Sequence, residues 1–190
     1  MIIAIEGHDG VGKTSLALQL SKKLKYEYVK HPECKLYDIS KNDYIKISDK
    51  VINYDNSLLT AMFLSIGDNY ALEYYKNKNV ILDRHALLNY YWNGNKVSEF
   101  IFKNSIKNFG KPDFTILLTA TPEIRKTRLL KRNPHDSDLQ NEIILNADEK
   151  KLIQYIKKYR LKHLIIDTSF LSQNEVFEIA FNTIKYKLDL

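Results

Sequence analysis

Gly7-His8-Asp9-Gly10-Val11-Gly12-Lys13-Thr14 follows directly on the apolar run Ile2-Ile3-Ala4-Ile5-Glu6. The octet fits G-x-x-x-x-G-K-[ST], the phosphate-cradling loop between a buried strand and a helix. Its flanks agree. The run before it is β-branched and short, as a buried strand is, and Ser15 to Leu24 places apolar residues at helical spacing. Glycines let the backbone take positive φ and turn its N–H groups inward. Those groups and the helix N-terminus then bind phosphate oxygens. On this reading Lys13 reaches the β- and γ-phosphates of ATP, and Thr14 offers its hydroxyl to Mg²⁺.

Outside the loop, strand-like runs fall at 2–6, 27–30, 80–82, 114–119 and 163–166. Helix-like segments fall at 13–24, 57–75, 98–108, 122–131, 139–159 and 173–190. Thr121-Pro122-Glu123 reads as an N-cap followed by proline at the first helical position. Such alternation predicts one α/β domain over 1–190, a P-loop fold with a five-stranded parallel sheet, helices on both faces and a lid. Ligands of such sheets bind at the carboxyl ends of the strands. Val80-Ile81-Leu82-Asp83 ends in a carboxylate suited to supporting Mg²⁺, and Arg84 beside it would face phosphates or form a surface ion pair. The stretch from Arg125 to Asp136 holds five cations and breaks at Asn133-Pro134. Ordinary helix capping accounts for part of that charge, and a lid closing over the transferring phosphoryl group for the rest.

The net charge is +6 and the pI about 9.1. A lysine-rich surface or an attraction for anions would each produce it. The lysines are dispersed and no nucleic-acid motif stands out, which favours small nucleotides over nucleic acid as partners. No apolar run is long enough to span a membrane. The start of the chain lacks the pattern of a signal peptide, and Cys34 is the single cysteine, so a cytoplasmic setting is expected.

The order of motifs resembles the thymidylate kinase family along nearly the whole chain. The phosphate loop preceded by Ile5-Glu6 is similar to that family's opening, and His31-Pro32-Glu33 to its element after the second strand. Asp83-Arg84-His85 resembles its D-R-Y/H motif, and Leu88 to Gly94 loosely follows its S-x-x-A-Y-Q-G. Lys111-Pro112-Asp113 and Ile165-Ile166-Asp167-Thr168-Ser169 are similar to its later segments. The resemblance implies transfer of the ATP γ-phosphoryl to a nucleoside monophosphate, dTMP first among them, and a homodimer. Gly7, His8, Gly10, Val11, Gly12, Lys13, Thr14 and Ser15 would hold ATP, with Thr168 near adenine. Thr14 and Asp83 would serve the metal, and Asp9 would lie near the acceptor sugar and the donor phosphates. Family members with a small residue in place of Gly10 supply a catalytic arginine from the lid, which puts forward Arg128, Lys131 and Arg132. Glu33, Phe63, Arg84 and Asn93 would meet the acceptor.

Family members also clamp the acceptor phosphate with arginines after the second strand and in the helix before D-R. Here Cys34-Lys35 stands at the first place, and Phe63 to Asn69 at the second, without arginine. Lys35 is the available substitute, although lysine does not match a bidentate arginine. Phe63 could stack on a base or simply fill the core. The lid offers Asp136, Ser137, Asp138 and Glu142 in place of D-R-x-E. Two rival readings follow. One is a deoxynucleoside kinase with Glu33 as general base for a 5′-hydroxyl. The other is a P-loop nucleic-acid end kinase or nucleotide switch.

Overall fold

In the computed structural model, which describes residues 1–135, 139 and 141–188, β1 (Ile2–Glu6), β2 (Glu27–Val29), β3 (Val80–Asp83), β4 (Phe114–Thr119) and β5 (His163–Asp167) form one sheet. All pairings are parallel, in the order β2-β3-β1-β4-β5. Strands covered on both faces can be apolar at successive positions, and β1, β3 and most of β4 are. Side chains alternate between the faces. Ile116 and Leu118 pack with Leu16, Leu20 and Ala180 of α1 (Lys13–Leu24) and α10 (Gln173–Lys187). Leu117 packs the other way, with Ala61 of α4 (Ser57–Tyr75), Leu87 of α5 (Ala86–Asn93), Phe102 of α6 (Glu99–Phe109) and Tyr155 of α9 (Lys150–Lys158). β1 lies between β3 and β4, so the chain leaves it at the crevice where the strand order reverses. That is where an open parallel sheet binds its ligand.

Local signals set several boundaries. Thr121 accepts from Ile124 N and starts α7 (Pro122–Arg132), with proline at the first turn. Ser172 and Glu175 form a capping box at the head of α10. The expected helix over 139–159 is instead two, α8 (Glu142–Leu145) and α9. The carbonyls of Ile144 and Leu145, which a continuing helix would need, are taken by Arg125. Three further helices had no clear periodic signal: α2 (Pro32–Tyr37), α3 (Lys41–Ile52) and α5. α3 buries only Tyr44, and α5 is apolar on nearly every side. Asp136, Ser137, Asp138 and Gln140 lie outside the described residues, as do the last two of the expected terminal helix.

Ile116 is fully buried in the middle of β4, touching both neighbours in the sheet. Ile116→Ala is expected to lower unfolding free energy by about 2–5 kcal/mol, read from urea denaturation.

Candidate active site

The phosphate loop closes on itself around a buried lysine. Lys13 Nζ donates to the His8 carbonyl at 2.7 Å and lies 3.6 Å from Asp9 Oδ1. Gly10 and Gly12 hold φ of 86° and 99°, in the left-handed region. Gly7 is needed for space as well, since a Cβ there would stand 2.2 Å from the Leu118 carbonyl oxygen. Burial, then the charge of Arg84, pushes Lys13 down to about 8. A polyphosphate would supply the counter-charge.

At the end of β3, Asp83 Oδ2 accepts from Thr14 Oγ1 at 2.6 Å and from the Tyr28 hydroxyl at 2.8 Å, with Lys30 Nζ 3.2 Å away. Burial opposes ionisation of Asp83, but Thr14, Lys30 and Tyr28 outweigh it and hold the carboxyl below its ordinary range. Its Oδ1 is buried and has no hydrogen-bond partner among the described residues. An orphan carboxylate oxygen beside a threonine hydroxyl suits a hard cation that takes its remaining ligands from phosphate and water, as Mg²⁺ does. Arg84 follows with φ 90°, a conformation uncommon for any residue but glycine. Its guanidinium forms an ion pair with Asp9. Burial works against the charge of Asp9, yet Lys13, Arg84 and then Arg132 together hold its carboxyl well below the usual carboxylate range. Asp9, Lys13, Arg84 and Arg132 therefore share one electrostatic cluster.

The other residues proposed for the donor side take different places. Arg128 Nη1 donates to Thr168 Oγ1 at 2.8 Å, and its Nη2 to the Thr168 carbonyl at 2.6 Å. Thr168 Oγ1 in turn donates to the carbonyls of Thr119 and Val11. Arg128 thus braces the loop after β5 against the phosphate loop, while the charge of Arg132 reaches Asp9. The His8 imidazole turns away from the loop, edge-on to Tyr91, and its Nε2 donates to the Asp148 carbonyl at 2.9 Å. Burial holds it at about 4, so it is neutral. His8 can serve phosphate only through its main chain. Ser15 is half-buried in the first turn of α1.

On the side where the sequence reading puts the acceptor, Glu33 of α2 is wedged against Gly67 of α4, where a Cβ would stand 2.1 Å from Glu33 Oε1. Tyr44 stacks on Phe63 at 6.2 Å, and burial together with the charge of Glu33 holds its hydroxyl well above the ordinary tyrosine range. Burial raises the carboxyl of Glu33, and burial together with Glu33 pushes Asp68 up to about 8. Asn93 donates to Asn89 at 3.1 Å, and Asn89 to Ser65 and the Ala61 carbonyl. Lys35 does not join this group, which corrects the expectation of an acceptor-phosphate cation. It sits on the opposite face of α2, exposed, 4.6 Å from the centre of the Tyr74 ring. Sequence reading missed Asp68, Tyr44 and Arg125. Arg125 carried a signal, because helical spacing places it with Leu129 on the buried stripe of α7.

Beneath the loop, Glu6 is fully buried at the end of β1. Its Oε1 accepts from Leu87 N at 3.1 Å. Its Oε2 and Thr115 Oγ1 have no hydrogen-bond partner among the described residues, and both residues line a cavity of about 10 Å³. Burial pushes Glu6 up to about 7.

What the sheet presents at its carboxyl ends is built to hold a polyphosphate and to gather positive charge where a phosphoryl group would move. The molecule is an ATP-dependent phosphotransferase of the P-loop class. More narrowly, the chain belongs to the thymidylate kinase family, whose sequence pattern it matches over residues 5–179. It is 30% identical to the probable thymidylate kinase 1 of Saccharolobus solfataricus, over 98% of both chains. It is 28% identical to the cytidylate kinase of Methanocaldococcus jannaschii, over 97% of both. Its fold resembles the deoxyadenosine kinase of M. mycoides, with a TM-score of 0.69 at 22% identity, over 98% of this chain and 100% of that one. Among the described residues no helix is long and apolar enough to cross a membrane.

The folded chain holds the Glu6 proton up to about pH 7, whereas an unfolded glutamate releases it near 4.5. The stabilising contribution of that proton is full below pH 4.5 and is lost as pH rises through 7. Glu6→Gln keeps the acceptor for Leu87 N and cannot ionise. Denaturation at a series of pH values should find the variant equal to wild type near pH 4.5 and more stable above pH 7, by up to about 3 kcal/mol.

Proposed function

We propose that this chain transfers the γ-phosphoryl of ATP to a nucleoside or deoxynucleoside monophosphate. One observation carries the reading: Arg84, in a left-handed conformation at the end of β3, is directed onto Asp9 beside Lys13. An acceptor that already bears phosphate brings two anions together, and this cluster is where cations could receive both. The acceptor oxygen attacks the γ-phosphorus in line while the bond to the β-phosphate oxygen breaks. Lys13, Arg84 and Arg132 offset the charge on the equatorial oxygens, and the work is positioning and electrostatics. Thr14 and Asp83 would hold Mg²⁺, which draws charge from the β- and γ-oxygens. The similar proteins are named for thymidylate, cytidylate and adenylate, so dTMP leads a short set of acceptors.

The geometry around Glu33 supports a second reading, phosphorylation of a nucleoside 5′-hydroxyl. Its raised carboxyl is suited to take a proton, and Lys35 brings no cation to its side of α2. ADP release with Mg²⁺ and a panel of nucleosides and their monophosphates separates the two. Turnover of monophosphates supports the first reading. Turnover of nucleosides alone, abolished in Glu33→Gln, replaces it with the second. Lys13→Ala and Arg84→Ala should each remain folded and lower kcat/KM by about 10³-fold or more.

We also infer a homodimer through α4, which exposes Leu59, Met62 and Ile66 along one stripe at helical spacing. Light scattering should give twice the mass of the chain, and Met62→Asp with Ile66→Asp should halve it. A monomeric wild type would rule the dimer out.

A further inference from the structure

Among the described residues Arg125 is the largest fully buried side chain. Removing a guanidinium from water is costly unless its donors are met. Here Nε donates to the Asp9 carbonyl at 2.9 Å, Nη1 to the carbonyls of Leu145 and Ala147 at 3.2 and 3.0 Å, and Nη2 to that of Ile144 at 2.8 Å. One planar group therefore binds the phosphate loop to the segment that follows the lid. Two neighbouring contacts act in the same direction. His8 Nε2 reaches Asp148 from the loop side. The Arg125 backbone lies so close to Gly10 that a Cβ there would stand 2.8 Å from the Arg125 carbonyl oxygen. His8, Asp9 and Gly10 are thus all fixed against α7 or residues 144–148.

We propose that Arg125 is a positioning residue for phosphoryl transfer. It holds the Asp9 peptide so that the carboxylate meets Lys13 and Arg84. It also makes residues 144–148 order together with the phosphate loop. Both flanks of the lid are then tied to the loop: α7 by Arg125 to Asp9 and Arg128 to Gly10, and residues 145–148 by Arg125 and by His8 to Asp148. A lysine cannot replace it, because a single ammonium does not span carbonyls on two segments as the guanidinium fork does.

The test compares wild type with Arg125→Lys and Arg125→Met, using the acceptor that wild type turns over. Arg125→Lys is expected to stay folded and to lose kcat at least about tenfold, with the KM for ATP changed less than about threefold. A role confined to packing would lower the melting temperature and leave kcat alone. A folded Arg125→Lys with kcat within about twofold of wild type overturns the proposal. Hydrogen exchange on wild type keeps the question open to test if neither variant folds. Adding a non-hydrolysable ATP analogue with Mg²⁺ should slow the amides of residues 8–10 and 144–148 together, and unchanged exchange at 144–148 overturns the proposal. That measurement needs no acceptor, so it stands apart from the choice between nucleoside and monophosphate.

Discussion

Everything at the donor site depends on how closely main chain approaches main chain around the phosphate loop. Gly7 lies against the Leu118 carbonyl and Gly10 against the backbone of Arg125, with no room for a Cβ at either. These contacts press the loop between β4 and α7. The loop's own hydrogen bonds could not impose that shape, because Lys13 spans it only once, to the His8 carbonyl. The surrounding fold supplies the rest of the constraint, and it holds Gly7, Gly10 and Gly12 at positive φ.

Charge is then divided by depth. Lys13, Asp9, Arg84 and Arg132 form a cluster in which the anion is outnumbered, and Asp9 stays ionised in spite of its burial. Glu33, Asp68 and Glu6 are buried, and burial lifts all three in spite of polar neighbours such as His85 and Asn89. The same residue type thus serves two ends. Asp9 and Asp83 at the loop are held as anions, whereas burial favours the protonated form of Glu6, Glu33 and Asp68. If the proposed acceptor lies there, a carboxyl pair beside it suits a sugar or base better than a bare phosphate, with Arg84 and Lys13 the cations across from it.

Much of this was legible in the sequence, for reasons that differ from place to place. Gly7 to Thr14 specifies its own geometry, and the apolar runs of β1, β3 and β4 announce a sheet covered on both faces. α1 and α4 run over the residues expected, because their apolar spacing is not interrupted. The region after α7 was harder to read. Residues 139–159 keep helical spacing, yet the helix stops where a side chain twenty residues earlier takes its carbonyls, and no local pattern shows such a contact. Lys35 could be placed near the second strand by counting. Only the helical turn of α2 decides which way it points. Asp68 is one of two acids in a largely apolar helix, and it gains meaning from Glu33, which arrives from another element.

α2 begins and ends at reversals of the chain. His31 and Asp38 cap it with φ of 56° and 52°, and it meets the rest of the protein chiefly through Glu33 on Gly67 and Tyr44. Such a helix behaves as an exchangeable cassette. Its side chains enter no strand pairing, although only Lys30 and His31 separate it from the end of β2. On the proposed function, α2 carries Glu33 toward the acceptor while the loop after β1 and the end of β3 carry the phosphate chemistry, so the two would lie on separate pieces of chain.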